Sequence, residues 1–337
     1  EIPDSVTELG GGAFQRCSNL TDISLPDGVT SIREATFWMC SSLVSIKLPN
    51  KLNSIENYAF WGCSSLTSIT IPDSVASIGE EAFRECYDLK SVKLPAKLRM
   101  LDVFTFKECT SLSSVTIPDT VLVFDPSAFS DCTNLADITI GSGAQMPLWI
   151  GLNGYSALKS ISVAKDNKYY CDDNGVLYNK KKTELLCYPR CKEGEQYVVP
   201  DGVTYINKDA FKNCNNLTAL TIPDSVISIG EGALSGCSNL KNITYKGSEV
   251  DWKGIYDDAD NELEGVTFQY GKANPEGKGL FECTVTLESN SKIYTTTGEK
   301  PVYVVEYDGT EHKPAVTVED GEKLLVCGTD YEVDYVD

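Results

Sequence analysis

Thirteen cysteines and a single histidine carry most of the chemical range of this chain. Cys17, Cys40, Cys63, Cys86, Cys109 and Cys132 recur every 23 residues, and Cys191, Cys214 and Cys237 keep the same interval. Structural zinc asks for close cysteine pairs, and no C-x-x-C occurs. A thiol repeated once per period among apolar residues reads as core, because cysteine is small, apolar and readily buried. Side chains stacked in parallel do not reach disulfide geometry. Cys187 with Cys191 and Cys283 with Cys327 are the reducible candidates, and free thiols suit a reducing niche. Any Ser–His or Cys–His scheme would have to use His312, which lies in the turn-like YDGTEHKP. The 49 acidic residues single out no carboxylate pair by spacing. The stretch DDADNELEG, Asp257 to Gly265, fails as an EF-hand, since Leu263 stands where the loop needs glycine. GGG at 10–12 lacks the lysine of a phosphate loop. The expectation is no enzyme, no metal and no cofactor.

The formal net charge is −20. From Lys246 onward 21 acidic residues face 8 basic ones, so the C-terminal third carries most of the excess. Such a surface repels phosphates, and nucleic acid is excluded as a partner. EIPDSVTELG has neither a basic start nor an apolar run, and no stretch is long and apolar enough for a membrane span. The chain opens and closes inside patterned segments and is expected to be a fragment of something longer.

The elements that would position these residues are internal repeats. IPDSVTELGGGAFQRCSNLTDIS from Ile2 is followed by LPDGVTSIREATFWMCSSLVSIK from Leu25, LPNKLNSIENYAFWGCSSLTSIT from Leu48 and IPDSVASIGEEAFRECYDLKSVK from Ile71. The pattern continues from Leu94 and Ile117, blurs from Ile140 and returns from Val199 and Ile222, giving nine copies, one of them degenerate. Each copy cannot bury its apolar face alone, so successive coils must stack into a solenoid with one shared core. LxxIxIP, as in Leu66 to Pro72, predicts a short strand, pairing in parallel with its copies and ended by the proline. GEEAFREC, Gly79 to Cys86, predicts one helical turn that drops Phe83 and Cys86 inward. Phe14, Phe37, Phe60, Phe83, Phe106, Phe129 and Phe211 would form a stacked column.

The pattern LxxIxIPxxVxxIxxxAFxxC over residues 2–244 resembles the treponeme-type leucine-rich repeat of the BspA-like surface proteins. DNGVLYNKKKTELLCYP, Asp173 to Pro189, is similar to a segment that interrupts such arrays, and YKGSEVDWKGI from Tyr245 to one that closes them. The resemblance implies an α/β solenoid, a right-handed coil of 23-residue repeats with a parallel sheet, over 1–244, with a hairpin insertion at about 163–198 and a cap at 245–272. Residues 273–337 read as short alternating strands and resemble a partial bacterial Ig-like module, a small all-β domain.

Recognition falls to three sets of residues. Outward positions of the strands, among them Lys47, Thr70 and Lys93, would pave the concave side of the array. Solvated strands carry such residues in any case. The position after the core Phe is Trp38 and Trp61 in neighbouring copies, with Tyr58 nearby and Arg84 and Lys107 continuing the row. Their indoles would stand about 5 to 10 Å apart, if strand-like spacing holds. They either form a recognition flank or cover a local gap in the core. The hairpin tyrosines Tyr169, Tyr170, Tyr178 and Tyr188 would pack on the solenoid edge.

Two functions follow. One is a monomeric, extracellular adhesion or recognition module, on the bacterial cell surface or secreted, for a host-matrix or bacterial protein, as the resemblance implies. The other is carbohydrate binding, or pure scaffolding with no ligand.

Overall fold

The computed structural model describes residues 2–145, 152, 154–256, 263 and 265–272, together with the strand backbones of 283–287, 293–295, 303–305, 316–320 and 323–324. The solenoid is built from two ladders of short parallel strands. The longer strands recur from Asp22–Ser24 to Asn242–Tyr245 and Thr267–Tyr270, and the two-residue strands from Ser31–Ile32 to Ser228–Ile229. Register follows the sequence period: Ser24 pairs with Lys47, Thr70 with Lys93, Thr116 with Thr139 and Ser54 with Ser77. In Ser68–Thr70 the outer residues are exposed while Ile69 is buried, the alternation a half-buried strand requires. The proline that ends each strand has no N–H to extend the ladder, and its carbonyl begins the next turn. Val29, Leu52 and Val75 donate to Pro26, Pro49 and Pro72 at 3.0–3.1 Å.

The segment expected to be a helical turn is of another kind. Only Pro126–Phe129, capped by the Asp125 carboxylate, forms a short 3-10 helix. In the other coils the chain enters the left-handed region, at Ala35 and Met39 and then at Tyr58, Gly62, Glu81 and Glu85. The N–H groups of alternate residues thereby point along the stack. Ala35, Phe37 and Met39 donate to Asn57, Ala59 and Trp61 of the next coil at 3.1, 2.8 and 2.7 Å, while Trp38 and Cys40 donate within their own coil. The left-handed backbone is costly for side chains as large as Tyr58, and this third ladder between coils offsets it.

Phe14, Phe37, Phe60, Phe83, Phe106 and Phe129 form the expected column, with ring centroids 5.0–5.5 Å apart and nearly parallel planes. Beside it runs a row of thiols. The Sγ–H of Cys40, Cys63, Cys86, Cys109 and Cys132 donates to the carbonyl of Phe14, Phe37, Phe60, Phe83 and Phe106 in the preceding coil, at 3.0–3.3 Å. Cysteine suits the position because its side chain is apolar enough to bury and still offers a weak donor. Burial pushes the Cys40 thiol up to about 11, so it stays protonated and does not act as a nucleophile at neutral pH.

The insertion is a three-stranded antiparallel meander, Tyr170–Asp173, Val176–Asn179 and Glu184–Cys187, whose last strand pairs in parallel with Tyr205–Ile206 and so joins the two-residue ladder. Tyr188 takes the spine position, 5.1 Å from Phe211, and accepts the Cys214 thiol on its carbonyl. Cys191 therefore sits at the repeat cysteine position. Cys187 and Cys191 form no disulfide, and the Cys191 thiol donates to Ser156 at 3.1 Å instead. In the degenerate copy Leu152 and Tyr155, both buried, keep the three-residue Phe-to-Cys spacing. Of the hairpin tyrosines Tyr170, Tyr178 and Tyr188 are buried and Tyr169 is exposed.

Thr267–Tyr270 adds a parallel strand to Asn242–Tyr245. Glu249–Ile255 is a short α-helix whose start is closed by Ser248 and Asp251: the Ser248 hydroxyl donates to the Asp251 carboxylate at 2.7 Å and accepts the Asp251 N–H at 3.2 Å. Farther on, Cys283–Leu287 pairs antiparallel with Val316–Asp320, which pairs with Lys323–Leu324, and Ile293–Thr295 pairs with Tyr303–Val305. His312, Cys327, the Cys283 side chain and most of Asp257–Gly265 lie outside the described residues.

Candidate binding surfaces

The turn ladder dictates where the flank residues go. With Phe37 and Phe60 directed into the core, the next residue in each coil, Trp38 and Trp61, emerges at the edge of the turn, half-buried. Their ring centroids are 5.8 Å apart with planes 34° from parallel, within the range the repeat spacing predicts. The row continues at both ends with cations. The Arg16 guanidinium lies 5.2 Å from the Trp38 ring centre and the Arg84 guanidinium 5.0 Å from that of Trp61. Tyr58 meets Trp61 at 5.7 Å. A β-carbon on Gly62 would stand 2.6 Å from Met39 Sδ, so the absence of a side chain there makes room for the Met39 thioether.

Electrostatics hold one end of the row in place. Arg84 reaches Glu81 at 2.9 Å and Glu85 and Glu108 at 3.3 Å each. Partial desolvation opposes its charge, but these three carboxylates outweigh that and shift it upward. The indole Nε1–H groups of Trp38 and Trp61 are buried and make no hydrogen bond. A buried, unsatisfied donor costs about 1–3 kcal/mol, so the row is not simply cladding selected for stability. Each indole is flanked by an arginine and by the other indole. Stacking of a sugar ring, which needs an open aromatic face, is disfavoured by this arrangement.

Lys47, Thr70 and Lys93 lie apart from the aromatic row, in one column of outward positions on the longer strands. Lys93 forms an ion pair with Asp73 at 3.3 Å. The structure thus gathers Trp38, Trp61, Tyr58 and Arg84 into one cluster and leaves the other three on the strand face. Sequence reasoning missed Arg16 and Met39, which belong to the aromatic cluster. Arg16 is offset by one position from the Trp row, and only the left-handed turn brings it over Trp38. Among the described residues no group of three His, Cys, Asp or Glu side chains could hold a metal ion, and no helix is long and apolar enough to cross a membrane.

A family model described as BspA type leucine rich repeat region, in six copies, matches residues 1–75, 53–166 and 182–290. No curated protein matches the chain. Among solved structures, a leucine rich cell surface protein from Faecalibacterium prausnitzii A2-165 is 28% identical, with 78% of this chain and 70% of that one covered and a TM-score of 0.47. Leucine-rich repeat proteins from Bacteroides ovatus and Eubacterium ventriosum are 26% and 23% identical. The alignments cover 80% and 67% of this chain and 83% and 66% of theirs, with TM-scores of 0.39 and 0.47. With the 23-residue coils, the phenylalanine column and a family match over most of its length, this chain belongs to the BspA-type leucine-rich repeat family.

Proposed function

We propose that this chain is a binding module of a bacterial protein displayed on the cell surface or secreted, and that it recognises a protein partner through the solenoid surface. The observation that carries the reading is the row Arg16, Trp38, Trp61 and Arg84, flanked by Tyr58 and Met39. Tryptophan, tyrosine, arginine and methionine are the residue types enriched where proteins meet. Membership of a repeat family supports binding rather than catalysis, since solenoids present extended surfaces. With the indole faces already occupied, a protein ligand is favoured over a glycan.

Binding of the purified chain to arrayed host matrix proteins and glycans, beside a Trp38→Ala/Trp61→Ala variant of unchanged circular dichroism, tests this. We expect the parent to bind a protein on the array and the variant to lose at least tenfold, roughly 1.4 kcal/mol. Equal binding by both would remove the flank from the site. Binding confined to glycans, or none, would replace the reading by sugar recognition or by a scaffold.

A further inference from the structure

A second surface has a composition that the rest of the molecule does not explain. In a chain of net charge −20, the exposed side of the second, third and fourth coils carries Lys47, Lys51, Lys90, Lys93, Lys97 and Arg99. Of these only Lys93 has an ion-pair partner among the described residues, Asp73 at 3.3 Å. Exposed carboxylates are abundant in this protein, yet five cations in this region are left without one. The strand ladder fixes their layout. Lys47 and Lys93 occupy one column with Thr70 between them, so their α-carbons stand roughly 10 Å apart, two strand spacings. Lys97 lies in the turn that follows, and Arg99 leads into the two-residue strand.

The same surface continues into exposed apolar side chains. Met100 is 51% exposed and Leu122 and Val123 are each 37% exposed. Met100 pairs in register with Val123, and the Leu122 N–H donates to the Arg99 carbonyl at 2.9 Å, so the apolar group adjoins the cations. Unpaired cations beside exposed apolar side chains match a ligand that brings carboxylates and apolar anchors together. A long polyanion, whether sulfated polysaccharide or nucleic acid, fits less well. It would run past the patch onto a strongly negative surface and would leave Met100, Leu122 and Val123 in water.

We infer that this basic and apolar patch is a docking surface for an acidic polypeptide segment that also carries apolar or aromatic side chains. The inference deepens the proposed function by giving partner chemistry to a face other than the tryptophan row. The test is fluorescence anisotropy of the full chain with labelled poly(Glu,Tyr), poly-Glu and heparin at two salt concentrations. Three variants of unchanged melting temperature accompany it: Lys90→Glu/Lys97→Glu, Met100→Ser/Val123→Ser and Trp38→Ala/Trp61→Ala. We expect poly(Glu,Tyr) to bind at least tenfold tighter than poly-Glu, to weaken with salt, and to lose at least tenfold in each of the first two variants only. Absence of copolymer binding, equal binding by the charge-reversed variant, equal affinity for poly-Glu, or a preference for heparin would each overturn the assignment. Loss in the tryptophan variant alone would also overturn it while leaving the proposed function in place.

Discussion

The thiol of Cys63 donates to the carbonyl of Phe37, one coil earlier, at 3.2 Å, and that carbonyl also accepts the Cys40 N–H of its own coil at 3.1 Å. One oxygen thus ties together a turn and its neighbour, at full burial of both side chains. The repeat cysteines are stitches between coils as well as core filling.

Cys63→Ala removes the donor and leaves a small cavity, but the Phe37 carbonyl keeps its backbone partner. We expect a loss of about 1–2 kcal/mol, read as a lower urea midpoint. An unchanged midpoint would make the thiol contact incidental.

Phe83 sits mid-column with rings at 5.0 and 5.1 Å on its two sides, whereas Phe14 has one stacked neighbour and is only half-buried. Phe83→Ala should cost about 3–5 kcal/mol and Phe14→Ala clearly less. Chemical denaturation of the two variants side by side checks the order, and equal losses would contradict a continuous spine.

Burial raises Cys40 from the usual 9.0 to about 11. In that window the folded thiol holds a proton that the unfolded thiol releases. The stability it contributes is complete below pH 9 and is lost as the pH rises through 11. Denaturant midpoints taken from pH 8 to 11 should fall, and Cys40→Ala should flatten that fall. A profile identical in parent and variant would refute the assignment to Cys40.

Gly79 donates its N–H to the Ile55 carbonyl at 2.9 Å, and a β-carbon there would lie 2.6 Å from the Asn57 backbone nitrogen. Gly79→Ala must push two coils apart and is expected to destabilise by about 1–3 kcal/mol, despite alanine's smaller loss of chain entropy. Gly230→Ala, against Lys208, should behave alike. A variant as stable as the parent would mean the coils slide freely.

The solenoid was legible in the sequence because Phe, Cys, Pro and the strand residues all recur on one 23-residue period. The turn geometry was not. Glu80, Glu81 and Ala82 read locally as a helix start, but the bonds of Glu81 and Phe83 to Val103 and Thr105 in the next coil outweigh that preference. Those bonds link residues 22 apart, beyond any local pattern. The same blindness hid Arg16, whose neighbour is Trp38 only through the stack. Tyr155 and Cys191 at repeat cysteine positions were concealed by the degenerate copy and the insertion, which shift the spacing around them. Trp38 and Trp61 were visible as a pair, while their unpartnered N–H groups depend on side-chain packing that no spacing encodes.

Because each regular coil from Cys40 to Cys132 shelters one thiol, the array carries its own set of opening reporters. A coil must separate from its neighbour before its sulfur meets a labelling reagent, so the rate at each cysteine measures the local free energy of parting. Rates falling from the first coil inward would describe fraying; equal rates would describe a single cooperative body.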